Sequence, residues 1–435
     1  MQFFTKIDRF LRTVCEQIRW EKAHNMIYEE MKNHIIDQKN AFMDGGLDEK
    51  TAVDRAIKEM GDPVLIGMEL DQAHRPKTEW GIIFLTGIML LFGFGIRLFV
   101  SHELHTPLLL GKNLISILIG TGCMIIAYFA DFTIIGKYPE SVFVGFAIVT
   151  IVAMFLSPVV SWQYTYAQFI LLLFPIVMSG IIYNMRTKGY SGIVLSGIFL
   201  MVTVIISSMI PNLSVSVLVI IVSAFLILIT IAIISGWFNV NKLYGILLVY
   251  IPAISVTGIA FIGQILNGYR RNRLLSIISP SEDPMGSGYI AAKMRDMLSN
   301  ARFFGRGALG ANSIMLPEIN TNYILTYLIH RLGWVSFIII MAIMAIFIIR
   351  SFILCSKQKS VLGRLVSTAV LITFTMEIVF YVINNLGFSI IISTLPFISY
   401  SGMSVIINMA LIGIMLSVFK SGDIVKDELL LQKND

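Results

Sequence analysis

Charge is what this 435-residue chain has least of: Asp, Glu, Lys and Arg together make up 14% of it, against about 25% in average usage. Beside 56% hydrophobic residues and a mean hydropathy of +0.79, that shortage points to a chain crossing a membrane many times. Cysteine is scarce as well. Cys15, Cys123 and Cys355 are scattered, so there is no disulfide frame and no CxxC metal site. No nucleotide-binding glycine loop, HExxH or GxSxG occurs. The net charge of +6 suits basic loops beside a membrane. Without a basic stripe carrying interleaved aromatics, it gives no reason to expect nucleic acid as a partner. The 23 Met and 29 Phe are what packing in lipid needs and carry no cofactor signal.

The charge that is present is unevenly placed. Residues 1–79 hold 12 Lys/Arg and 15 Asp/Glu, 27 of the 60 charged residues. This predicts a soluble N-terminal domain over 1–79, a membrane domain over 80–420 and a tail over 421–435. The first long apolar run begins near Trp80, so no signal peptide is expected. Ile7, Phe10, Leu11, Val14 and Ile18 recur at helical spacing, and Ile27, Met31 and Ile35 extend the pattern. Another helix opens after Gly45-Gly46 with Asp48 and Glu49 in its first turn, and stops at Gly61; Asp62-Pro63 starts the next. The run LDEKTAVDRAIKEMGDPVLIGMELD (47–71) resembles the small cytosolic helical domain called HAAS, or permease prefix. That resemblance implies regulation or partner docking; a plain helical cap is the alternative.

From Trp80 onward, apolar runs alternate with short polar breaks, and a span needs about 20 residues. Spans are expected near 80–100, 113–130, 142–158, 166–184, 190–210, 213–234, 244–266, 323–349, 361–386 and 399–419, about ten in all. Backbone groups in lipid must be satisfied internally, so the fold class is all-α, a polytopic membrane protein. With residues 1–79 in the cytosol, the inner loops carry Lys137, Arg186, Lys188, Lys242, Arg350, Lys357, Lys359 and Arg364, while the short outer loops carry little beyond Lys112. That obeys the positive-inside rule and returns the C-terminus to the cytosol.

One outer loop breaks the rule. Residues 267–322 hold seven Lys/Arg against four Asp/Glu. Cations outside the membrane near headgroup level suit a phosphate or pyrophosphate carried by a lipid; the alternative is a loop that binds anionic headgroups. Within it lies SPSEDPMGSGYI (279–290). Asp283-Pro284 followed by Gly286 and Gly288 is turn chemistry, because Pro fixes φ and Gly accepts positive φ. A carboxylate held there beside arginines stays ionised and can accept a proton from a hydroxyl while the cations stabilise a phosphate leaving group.

YRRNRLLSIISPSEDPMGSGY (269–289), GRG (305–307), LPEINTNYI (316–324) and LPFISYSG (395–402), in that order, resemble the SEDS family of FtsW, RodA and SpoVE over about residues 240–420. The family patterns are roughly YxRxR…DPxGxGY, GKG, LPExxTDF and LPFxSYGG, and the family has ten spans. The resemblance implies a peptidoglycan glycosyltransferase that polymerises lipid II at the outer face of the bacterial cytoplasmic membrane, in cell-wall synthesis linked to shape, division or sporulation. The family's essential aspartate falls on Asp283, which would deprotonate the acceptor sugar hydroxyl. Arg271 and Arg273 would hold the pyrophosphate of the undecaprenyl-linked glycan, with a divalent cation, Mg or Mn, as an added expectation. Gly286, Gly288, Tyr289, Lys293 and Glu318 fall on motif positions and are the further substrate-binding candidates. The implied partner is a class B penicillin-binding protein.

The chain departs from the family pattern in places. Asn322 replaces the aspartate of LPExxTDF, His330-Arg331 replaces the acidic pair before the following LG, and Lys293 stands at a usual glutamine. TYAQF (165–169) and IPNLSV (210–215) occupy the regions of the RW, QPSE and QPDxGT signatures. Two other functions therefore stay open: a flippase or transporter of the lipid-linked precursor, and a non-catalytic scaffold recruiting cell-wall enzymes. Glu377, a carboxylate inside an expected span, is a further candidate, for a lipid groove, a proton path or a pair with Arg97. His330 and Arg331 are expected to snorkel at an interface, and His102 with His105 to be a solvated pair rather than a metal site.

Overall fold

The computed structural model describes residues 2–74, 78–103, 105, 108–157, 159–160, 163–211, 213–266, 279–280, 286, 288–308, 316–319, 321–388, 393–399 and 401–421. Arg271, Arg273, Asp283 and tail residues 422–435 lie outside the described residues. The chain divides into two compact units, Met1–Thr78 and Glu79–Gly422.

The first unit contains four helices, α1 (Gln2–Glu16), α2 (His24–Asp44), α3 (Glu49–Met60) and α4 (Pro63–His74). The helical-period residues Ile7, Phe10, Leu11, Val14 and Ile18 meet Ile27, Ile35, Val53 and Ala56 in one buried cluster. Asp48 caps α3 by accepting from the Thr51 N–H at 3.2 Å and the Thr51 hydroxyl. Those two bonds favour the ionised form and hold its carboxyl below the ordinary range. Gly61 ends the helix at φ +93°, a conformation that favours glycine.

The second unit is built from α5 (Trp80–Glu103), α6 (Leu108–Phe129), a short α7 (Thr133–Lys137), α8 (Pro139–Leu156), α9 (Thr165–Ile170), α10 (Phe174–Met185), α11 (Gly189–Ser208), α12 (Val215–Ile234), α13 (Lys242–Leu266), α14 (Tyr289–Ser299), α15 (Ile324–Leu332), α16 (Trp334–Lys357), α17 (Val361–Asn385) and α18 (Gly402–Ser421). A two-residue antiparallel pairing, Val159–Val160 with Gln163–Tyr164, is the only strand structure among the described residues. Among the described residues, eight segments are long and apolar enough to cross a membrane. One of them, Tyr166–Ser208, runs 43 residues and folds back at the 3-10 turn Arg186–Lys188, where Gly189 takes φ +59°. Counted as two legs, and with α13 added, these are ten apolar passes, and the protein is a multi-pass all-helical membrane protein.

One expected boundary is corrected. The span placed at 323–349 is two helices, because Gly333 at φ +93° breaks the chain between α15 and α16. The apolar pattern runs through the break, so hydropathy alone joins the two. Outward-facing apolar side chains such as Leu118, Ile126, Phe155, Ile205 and Ile349 provide the surface that lipid requires. Inside, α17 packs against α10, α12, α16 and α18, and Ser360 caps it by accepting from the Gly363 N–H at 3.2 Å. Helices α6 and α18 make the most extensive helix pairing among the described residues. A Cβ on Gly413 would meet the Met124 carbonyl and Ala127, and one on Gly120 would meet Met409 at 3.2 Å, so small residues set this approach.

Candidate active-site surface at one end of the membrane unit

Four sequence motifs are fastened to the end of α17 and its neighbours. The first is the DPMGSGY turn. Its described part runs from Gly286, exposed, through Gly288, buried at the N-cap of α14, to Tyr289, the first helical residue. The Tyr289 N–H donates to the Gly286 carbonyl at 3.2 Å, and the Ala292 N–H to that of Gly288 at 2.9 Å, so the turn feeds directly into α14. Lys293 follows one turn later, half-buried. Arg295 docks the helix: its Nε donates to the Gly387 carbonyl at 3.2 Å and its guanidinium lies 5.3 Å from the Phe388 ring centre. Gly387 has φ +90°, and a Cβ there would strike the Arg295 side chain.

The second motif, LPEINTNY, docks through Asn385, fully buried at the end of α17. Its Nδ2 donates to the Asn322 carbonyl at 2.9 Å and to the Tyr381 carbonyl at 3.0 Å, while its Oδ1 accepts from the Thr326 N–H at 3.1 Å. The Thr326 hydroxyl closes the loop by donating to the Asn385 carbonyl at 2.7 Å. Glu318 is exposed, takes φ +55°, and accepts from the Asn322 side-chain amide. Asn322, standing where the family pattern has an acid, thus serves as a donor to a carboxylate.

The third motif, GRG, lies against the end of α15. The Gly305 N–H donates to the Leu332 carbonyl at 3.1 Å and the Gly307 N–H to the His330 carbonyl at 2.7 Å. The expected snorkelling of His330 and Arg331 is corrected here. His330 is 6% exposed, with Nε2 3.3 Å from the Ala308 carbonyl oxygen. Arg331 pairs with Glu103 at the end of α5 and donates from Nε to the Tyr327 hydroxyl at 3.3 Å. Burial, then the Glu103 carboxylate, push the Tyr327 phenol up to about 12, against the opposing pull of Arg306. His102 and His105 are exposed.

The fourth motif, LPFISYSG, is held by α5. Phe397 takes φ +65° and its carbonyl sits where a Cβ on Gly93 would be, so glycine is required at 93. Arg97, fully buried, donates from Nε to the Ile398 carbonyl at 3.1 Å and from Nη2 to the Ser399 carbonyl at 2.6 Å. The expected Arg97–Glu377 pair does not form; backbone carbonyls take the guanidinium instead. Phe397 stacks on Phe374 of α17, with ring centres 6.1 Å apart.

Glu377 sits in the middle of this assembly, 2% exposed. It lines a cavity with Gln168, Ser214, Ser216, Asn322 and Thr394, with about 50 Å³ open to the centres of water-sized molecules. The structure therefore brings Glu318, Asn322 and Glu377 into one neighbourhood, and α14, bearing Tyr289 and Lys293, against α15. Asn385 and Arg295 carry no expectation from the sequence, and Arg97 only that of pairing with Glu377. The signal for Arg97 was present, a lone cation in an apolar run; for Asn385 nothing in the sequence separates it from an ordinary helix-end amide. No group of three or more His, Cys, Asp or Glu side chains fit to hold a metal occurs among the described residues.

The profile of the FtsW/RodA/SpoVE family, described as cell cycle protein, matches residues 78–423. The chain belongs to this family. That match takes in the whole membrane unit, including the first half, where no family motif is legible. Among FtsW/RodA/SpoVE relatives, the peptidoglycan glycosyltransferase MrdB of Escherichia coli is 27% identical over 162 residues, 35% of this chain and 43% of its own length. The probable peptidoglycan glycosyltransferase FtsW of Wigglesworthia glossinidia brevipalpis is 35% identical over 164 residues, 36% of this chain and 42% of its own. Stage V sporulation protein E of Bacillus subtilis is 26% identical over 175 residues, 39% and 47%. The matched stretches thus span less than half of these relatives. In three dimensions, a chain of a peptidoglycan synthase complex superposes with a TM-score of 0.62 at 15% identity, over 79% of this chain and 97% of that one. The rod shape determining protein RodA of Thermus thermophilus gives 0.50 at 14%, over 79% and 97%. The membrane unit has the fold of these FtsW/RodA/SpoVE proteins.

Proposed function

We propose that this protein is a peptidoglycan glycosyltransferase, a divergent FtsW/RodA/SpoVE member that polymerises lipid II at the outer face of the bacterial cytoplasmic membrane. The observation that carries the reading is the retention of Asp283-Pro284-Met285-Gly286-Ser287-Gly288-Tyr289 within a family match covering the membrane unit. Asp283 takes the proton of the acceptor sugar hydroxyl. The freed oxygen attacks the anomeric carbon of the other, lipid-linked glycan from the opposite face, a new C–O bond forms, and the bond to undecaprenyl pyrophosphate breaks with inversion. Arg271 and Arg273 hold and neutralise the departing pyrophosphate. Gly286 and Gly288 leave room for backbone to approach substrate, and Tyr289, Lys293 and Glu318 line its path. The partner is a class B penicillin-binding protein supplying the crosslinking step. Both termini lie in the cytosol, and residues 1–79 act as a HAAS-like regulatory or docking domain.

The test is polymerisation of purified lipid II by the full chain together with its copurified transpeptidase. Wild type is expected to give glycan ladders, and Asp283→Ala none while retaining its melting temperature. Absence of product from folded wild type with its partner would sink the enzymatic reading. The non-catalytic scaffold would then stand, a reading favoured by Asn322 acting as a donor to Glu318 and by Arg331 being bound to Glu103.

A further inference from the structure

The cavity around Glu377 has too many acceptors. Glu377 Oε2 and Gln168 Oε1 are buried without a donor, and so is Oδ1 of Asn408, whose side chain adjoins Glu377 from α18. The Asn408 Nδ2 donates to the Ser404 hydroxyl at 3.2 Å. The Ser214 and Ser216 hydroxyls, 2.7 Å apart, add further oxygen. Among the described residues, no Lys, Arg or His lines the space. Arg97, the buried cation of α5, is directed at the Ile398 and Ser399 carbonyls. A carboxylate enclosed this way inside a membrane domain is costly unless something positive or donating meets it.

Three features define that something. All of the ligating atoms on offer are oxygens, which select a hard cation and disfavour softer metals. Among the described residues only one carboxylate lines the space, with no cluster of acids or histidines beside it, so the charge they leave to be balanced is a single one. The room, about 50 Å³ for the centres of water-sized molecules, admits an ion with a few waters. We propose that this cavity binds one alkali cation, Na⁺ or K⁺, on Glu377 and Gln168 with Asn408 behind them. The ion ties α9, α12 and α17 to the Ser393–Thr394 segment that leads into the Leu395–Ser399 turn. The proposal does not rest on the glycosyltransferase reading.

The experiment uses the purified full chain in lipid nanodiscs. Binding of radiolabelled sodium and rubidium is measured, with melting in NaCl, KCl, MgCl₂ and N-methylglucamine chloride at one ionic strength. Saturable binding near one ion per chain is expected, together with a melting temperature that climbs with the logarithm of that ion's concentration. The sodium and rubidium arms decide which alkali ion it is. Glu377→Gln should abolish binding and the salt-specific shift, and Gln168→Met should weaken affinity several-fold. Binding that survives Glu377→Gln, equal melting in all four salts without saturable binding, or a shift given by MgCl₂ alone would each overturn the proposal. Should Glu377→Gln fail to fold, wild-type binding and Gln168→Met decide the matter by themselves.

Discussion

Asn385 shows how much one amide can do at the end of a buried helix. Its two donors and one acceptor serve Asn322, Tyr381 and Thr326, so it joins the LPEINTNY segment to α17 without a charged group. Asn385→Leu keeps the volume but strands the Thr326 N–H and the Asn322 carbonyl in a dry place, and each orphan costs about 1–3 kcal/mol. A clearly lowered melting temperature is therefore expected for the full chain in detergent; a variant melting with wild type would show that the segment is held by packing alone. Residues of this kind differ in how far the sequence gives them away. Glu377 stands out because an acid in an apolar run demands a reason. Arg97 stands out for the same reason, yet its acceptors are main-chain oxygens with no side-chain signature. Asn385 is silent, since its partners are fixed by a turn that forms only in the folded protein. Asp283, Arg271 and Arg273 are picked out by the turn chemistry and the misplaced cations of their loop, and motif order then gives them expected roles.

Among the elements, the pairing of α6 with α18 is the most extensive between any two described helices. Lipid-facing helices gain no hydrophobic drive from one another, so contact between backbones across small residues has to hold them. Gly413→Leu would push a branched side chain into the Met124 carbonyl and Ala127. Overpacking of this sort typically costs about 1–3 kcal/mol. The expected outcome is a lower melting temperature and easier proteolysis near α18, whereas wild-type melting would mean that the two helices shift apart freely. At this scale the spans themselves were readable, because a run of about 20 apolar residues suits the bilayer interior and little else. The division at Gly333 was not. The largely apolar α15 passes into α16 with no long polar gap, and the stop signal, His330 and Arg331 in the last turn before a glycine, is visible only once a helix end is suspected.

For the whole molecule, the proposed orientation fixes which face of the membrane can host the reaction. In a background lacking native cysteines, His102→Cys should react with an impermeant maleimide in intact spheroplasts, and Lys188→Cys only after permeabilisation. Both side chains are exposed. The opposite pattern would put residues 267–322 in the cytosol and remove the outer-face reaction. The ten passes and the all-helical class followed from composition; the first half of the membrane unit joined the family only through its match over residues 78–423, since its local motifs have changed. The fastening of Phe397–Ser399 by Gly93 and Arg97 has a consequence for biogenesis. Arg97 and its acceptors are about 300 residues apart in the chain. At synthesis rates of about 5–20 residues per second, the first span waits roughly 15–60 seconds for them. During that interval a guanidinium bound for the interior has neither turn carbonyl beside it, in a bilayer where such a group costs about 2.5–3.5 kcal/mol. Insertion of this protein therefore passes through a stage that depends on a sheltered, hydrated environment at the translocation machinery, released only when the last span arrives.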